Sequence, residues 1–138
     1  MKKIIKRQDV KIQDYLKKIK ILLDKCKMDY NAFRDLPIGE RQAYSWGILN
    51  THKDRIPIII ISSCVNKWKF LAHDDMLLED FWRVLRKHLS IRSYESYFIL
   101  TEENVMPYWK ATMRHLYTKY KNKDNFLYLY VIKDQAFG

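Results

Sequence analysis

Glycine and proline are scarce in this 138-residue chain, three of each. That excludes collagen-like, linker-like and glycine-rich phosphate-loop architectures. Cysteine is scarcer still. Cys26 and Cys64 stand outside any CxxC pair, so a disulfide scaffold is not indicated and a reduced cytosolic compartment fits. The longest wholly apolar run, residues 56–61, is too short to span a bilayer. Residues 1–14 are basic but lack an apolar core and a small-residue cleavage site, so no signal peptide is expected. His52, His73, His88 and His115 show no HExxH spacing, and no zinc site is expected. A G-x-S-x-G elbow, a Walker loop and a dinucleotide fingerprint are all missing. Asp74–Asp75 and Glu102–Glu103 are adjacent carboxylates of the kind that cap helices or sit in exposed loops. Cys64, in a turn, reads as a small residue. These absences argue against an enzyme and against a metal or cofactor site.

Apolar side chains, by contrast, make up 48% of the chain. A chain of this length buries roughly two-thirds of its unfolded surface, enough for a core without staples. Charge is strongly one-sided, with 26 basic against 16 acidic residues, a net +10. Residues 1–29 hold ten basic and four acidic side chains, so +6 of the excess sits there. Such a segment reads either as a solvated helix face or as a surface for an anionic partner. Its apolar residues Ile12, Leu16, Ile19, Leu23 and Cys26 recur at spacings of four and three, which predicts an amphipathic helix over 9–27. Four tryptophans and ten tyrosines would suit a nucleic-acid-binding domain, but most fall at core spacing, and no nucleic-acid partner is expected.

Further along, a helix is predicted over 38–50 behind Pro37, carrying Tyr44, Ile48 and Leu49. The β-branched run 58–61 reads as a buried strand, 62–67 as a short turn and 68–72 as the returning strand. Asp74 and Asp75 offer N-cap oxygens to a helix in which Leu78, Phe81, Trp82, Leu85 and Leu89 follow helical spacing. A strand over 96–101, a shorter helix over 111–121 and a strand over 126–132 complete the chain. This order predicts an α+β fold, a ubiquitin-like β-grasp with two additional N-terminal helices. No internal repeat is visible.

Asp54-Arg55-Ile56-Pro57-Ile58-Ile59, Lys67-Trp68-Lys69-Phe70-Leu71 and Leu85-Arg86-Lys87 resemble segments of the autophagy ubiquitin-like modifiers. These are the autophagy-related protein eight type, the family of the GABA-A receptor-associated protein and the microtubule-associated light chain three. Val105-Met106-Pro107, Ala111-Thr112-Met113, Leu116-Tyr117, Asp124 and Phe126-Leu127-Tyr128 continue the resemblance, and Phe33, Pro37, Glu40 and Arg41 look like its helical preamble. It covers residues 30–138: a preamble over 30–53, a β-grasp over 54–132 and a conjugation tail over 133–138, with 1–29 as a basic extension. Departures are a shorter 62–67 turn, Tyr44 where an acidic residue is common, and the unmatched 1–29. The ending Lys133-Asp134-Gln135-Ala136-Phe137-Gly138 looks more like the sister twelve-type modifier, which is joined to a protein lysine.

The resemblance implies a modifier whose Gly138 carboxylate is adenylated, captured as a thioester and passed to the amine of phosphatidylethanolamine. It also implies activating and conjugating enzymes, a deconjugating cysteine protease, and a place in the cytoplasm and on autophagosomal membranes. No cofactor is implied beyond that covalent lipid. Cargo receptors would dock an acidic-flanked aromatic-x-x-aliphatic motif as an added strand. Its aromatic pocket would use Ile48, Pro57, the stem of Lys69, Leu71 and Phe126. The aliphatic pocket would use Phe70, Ala72, Met76, Phe81 and Val84, and Arg55, Lys67 and Lys69 would attract the acidic flank. A twelve-type modifier and an unconjugated docking module are the alternatives.

Overall fold

The computed structural model describes residues 30–62, 67–89 and 91–134. The helix expected over 9–27, Cys26, Cys64 and Gly138 lie outside the described residues. The chain divides into two compact units. The first comprises residues up to Lys53 together with Lys123–Asn125, the second Asp54–Asn122 and Phe126–Gly138.

In the first unit, a short helix α1 (Tyr30–Arg34) precedes α2 (Ile38–Thr51). Pro37 ends the first and starts the second, its ring fixing the φ of −55° needed at the boundary. Phe33 and Tyr44 are buried and meet edge to face, ring centroids 6.3 Å apart. Three side chains of α2 grip the 123–125 segment. Arg41 Nη1 lies 3.0 Å from Asp124 Oδ2, Ser45 Oγ donates to the Asp124 carbonyl at 2.6 Å, and Gln42 Nε2 to the Lys123 carbonyl at 2.8 Å. Tyr44, at the position where the resemblance led to an acidic residue, is thus a core side chain of this unit.

The second unit is a four-stranded mixed sheet with two helices. Its strands are β1 (Arg55–Ile61), β2 (Lys69–His73), β3 (Tyr97–Thr101) and β4 (Leu127–Lys133), in the order β2-β1-β4-β3. Parallel pairing of β1 with β4 sits at the centre, flanked by antiparallel β2 and β3. The isoleucine run and the Leu127–Val131 stretch fill these central strands, where most side chains are buried. Continuous apolar runs are what two covered faces require. β1 starts at Arg55, three residues before the predicted strand. Pro57 is tolerated because pairing with β4 begins only at Ile58, so the missing donor falls at a boundary.

Between β2 and β3 runs α3 (Leu78–His88), burying Leu78, Phe81 and Leu85. Fully burying each of these side chains contributes about 1.5–3 kcal/mol. Glu79 and Asp80 in its first turn and Arg86, Lys87 and His88 in its last match the helix dipole. Its N-terminus departs from expectation. The N-cap is Leu77 with no side-chain cap, not Asp74 or Asp75. Carbonyls of a distant loop do the work: Leu78 N–H donates to Ala111 at 2.9 Å and Glu79 N–H to Trp109 at 3.0 Å. Asp74 instead pairs with Arg114 at 3.2 Å.

The last helix, α4 (Met113–Tyr120), is shorter than the predicted 111–121 because the Thr112 hydroxyl accepts the His115 N–H at 3.1 Å and sets its start. Asn104, at φ 61°, turns the chain out of β3 in the left-handed region that asparagine tolerates. Among the described residues, no helix is long and apolar enough to cross a membrane.

Candidate functional site

Among the described residues, β2 is an edge strand, laddered to β1 alone. A strand alternates its side chains between two faces, and here the alternation sorts the predicted site residues into two groups. Pairing of His73 with Arg55, Leu71 with Pro57 and Lys69 with Ile59 puts Arg55, Pro57, Lys69 and Leu71 on one face. Pairing of Ala72 with Ile56 and Phe70 with Ile58 puts Phe70 and Ala72 on the other. The β1 and β2 members of the two predicted pockets therefore fall on opposite faces of the sheet.

The second face is well formed. Phe70 and Phe81 meet edge to face at 6.3 Å, and the His88 ring stands 5.7 Å from Phe70. Phe70, Ala72 and Phe81 are buried and make a floor, with Met76 half-buried. Val84, three residues after Phe81 on α3, remains 44% exposed. On the first face Leu71 is 43% exposed beside buried Pro57. Phe126, fully buried, immediately precedes β4. Ile48 belongs to α2 of the other unit. Cations stand on and next to the edge strand: Lys67 Nζ lies 5.0 Å from the centre of the Phe70 ring, Lys69 Nζ 6.0 Å from that of Trp68, and Arg55, half-buried, opens the neighbouring β1 opposite His73.

Sequence reading did not anticipate a cluster at the end of β2. Ligand-type atoms of His73, Asp74 and Asp75 lie within 4.8 Å of one another. Internal partners account for them, since His73 faces Asp54 at 3.7 Å and Asp75 at 3.6 Å, and Asp74 meets Arg114. The other adjacent carboxylates are not both loop ornaments: Glu102 accepts from Asn122 Nδ2 at 2.9 Å, while Glu103 is exposed. No polar side-chain atom buried among the described residues lacks a hydrogen-bond partner.

The geometry is thus that of a β-grasp whose edge strand carries the apolar Phe70 and Ala72 on one face and Leu71 among basic side chains on the other. The family model described as "Autophagy protein Atg8 ubiquitin like" matches residues 40–138. An autophagy-related protein 8-like protein of Dictyostelium discoideum is 29% identical over 114 residues, covering 76% of this chain and 90% of the relative. Autophagy-related protein 8 of Cochliobolus heterostrophus is 30% identical over 108 residues, covering 74% and 90%. Among solved structures, Trypanosoma brucei ATG8 superposes with a TM-score of 0.69 at 28% identity, covering 80% of this chain and all of that one. Plasmodium falciparum Atg8, solved with a peptide of P. falciparum Atg3, shares the fold with a TM-score of 0.64 at 24% identity, covering 71% and 91%. Proteins of this kind are ubiquitin-like modifiers, not enzymes. With the family pattern matched over most of its length, the chain belongs to the Atg8 family of ubiquitin-like autophagy proteins.

Proposed function

We propose that this chain is a conjugated autophagy modifier that docks short peptide motifs along β2. The observation that carries the reading is the edge strand β2, with Phe70 and Ala72 on its apolar face and the half-exposed Leu71 beside Pro57 on the other. An extended peptide added beside β2 would send alternate side chains to opposite faces, an aromatic one toward Pro57 and Leu71 and an aliphatic one toward Phe70, Phe81 and Val84. Phe126 would complete the aromatic side, Ala72 and Met76 the aliphatic side. Arg55, Lys67 and Lys69 would meet acidic flanks on cargo receptors.

Gly138 is the proposed reactive end. It lacks a Cβ, which lets a narrow enzyme channel close around the backbone. Family membership supports a lipid acceptor, phosphatidylethanolamine, and hence a place on autophagosomal membranes as well as in the cytoplasm. Two acyl chains would hold far more firmly than a basic helix alone. The Atg3 peptide bound to the Plasmodium protein supports a conjugating enzyme as a partner, beside an activating enzyme and a deconjugating protease.

The test is reconstitution with activating and conjugating enzymes, ATP and phosphatidylethanolamine liposomes, reading product masses for wild type and Gly138→Ala. A lipid adduct confined to wild type is the expected result. A protein-linked adduct would assign the twelve-type role that residues 133–138 resemble. Absence of any adduct, with enzymes active on a control modifier, would leave a docking module alone.

A further inference from the structure

Away from β2, the loop that follows β3 and the helix α4 enclose a groove of about 450 Å³. That is within the range of pockets that take small ligands or side chains, about 300–1,000 Å³. Buried Leu116 forms its floor, and Met106, Tyr108 and Tyr120 form its walls. Met106 is 60% and Tyr108 72% exposed. These two large side chains, on either side of buried Pro107, leave apolar surface open to solvent above an apolar floor.

Charge indicates what covers it. Residues 104–123 contain five Lys and Arg and no Asp or Glu. Two of the cations are already neutralised. Lys110 lies 2.8 Å from Glu79, whose carboxylate raises its pKa above the ordinary lysine value, and Arg114 pairs with Asp74. Lys119 has no carboxylate within ion-pair distance among the described residues. It lies 5.4 Å from the centre of the Tyr120 ring, at the lip of the groove, with exposed His115 also on the rim. Concavity favours an inserted side chain over a bilayer face, and the unneutralised cation favours a carboxylate beside it.

We infer that this groove is a second peptide-docking site, taking one large apolar side chain flanked by carboxylates from an acidic segment of a partner protein. It shares no residue with the β2 site and does not depend on conjugation.

Methionine-methyl NMR separates the two sites, because Met106 reports on the groove and Met76 on the β2 side. The full chain, labelled at methionine methyls, is titrated with a peptide of glutamates around a single phenylalanine. Such a peptide has no aromatic-x-x-aliphatic pair. The Met106 resonance is expected to move saturably while Met76 stays still. Lys119→Glu, at an exposed position, is expected to weaken the response about tenfold. Tyr108→Ala is expected to weaken it as well, and lysines in place of the peptide glutamates are expected to abolish it. Movement of Met76 alone, or of no methyl at millimolar peptide, would overturn the proposal. An equal response to the lysine peptide would also overturn it, as would broadening of Met106 by anionic phosphatidylcholine–phosphatidylglycerol vesicles with none by peptide.

Discussion

Arg41 Nη1 and Asp124 Oδ2, 83 positions apart in sequence, lie 3.0 Å apart with the Asp124 side chain fully buried. The pair ties the segment before β4 to α2, and the Ser45 hydroxyl on the Asp124 carbonyl reinforces it. Removing one partner of a buried ion pair leaves the other charge uncompensated. Asp124→Asn is therefore expected to cost about 3 kcal/mol. Thermal melting checks this, and an unchanged midpoint would contradict it.

Leu71 and Val84 are large apolar side chains left about half exposed on opposite sides of β2. Substituting either by aspartate leaves the fully buried core side chains in place, so stability should fall by no more than about 1 kcal/mol. Binding of an acidic-flanked aromatic-x-x-aliphatic peptide, measured calorimetrically, should fall at least about tenfold, because a carboxylate would have to be desolvated in an apolar pocket. Retained affinity would move the site elsewhere.

Charge reversal at Lys67 and Lys69 should weaken the same peptide and flatten the salt dependence of its association rate, since rim charges steer encounter. Stopped-flow measurements at low and high salt read this directly. An unchanged salt slope would remove these lysines from the site.

Much of the fold was legible because its signals are local. The isoleucine run at 58–61, the helical spacing from Leu78 to Leu89 and the apolar run of the final strand each mark their element within a few residues. The cap of α3 was not legible, because its partners are carbonyls at Trp109 and Ala111, about thirty residues away, and Asp74 is drawn off by Arg114. Periodicity alone does not reveal the short α1, although the resemblance implies a helical preamble over 30–53: five residues show no helical period, and Phe33 packs against Tyr44. Within the candidate site, the two faces of β2 follow from strand alternation once its register is known. The groove beside α4 needs a loop and a helix juxtaposed, and a linear pattern does not encode that.

Glu95 predicts a specific acid response. The Arg92 backbone N–H, 3.0 Å from Oε1, holds its carboxyl below the ordinary range. Burial opposes this, and Lys133 at 3.3 Å and Tyr97 assist. A depressed folded-state pKa adds stability above the ordinary carboxylate range, and that stability is lost as pH falls through it. Melting curves across acid pH should show wild type more stable than Glu95→Gln near neutrality and the two converging in acid. Parallel curves would contradict the assignment.

The most direct test of docking at β2 is amide NMR of the labelled chain titrated with an acidic-flanked aromatic-x-x-aliphatic peptide. Strand addition predicts the largest shifts along Lys69–His73, where new main-chain hydrogen bonds would form, with smaller ones at Val84 and its neighbours on α3. Shifts that bypass β2 and gather elsewhere would contradict it.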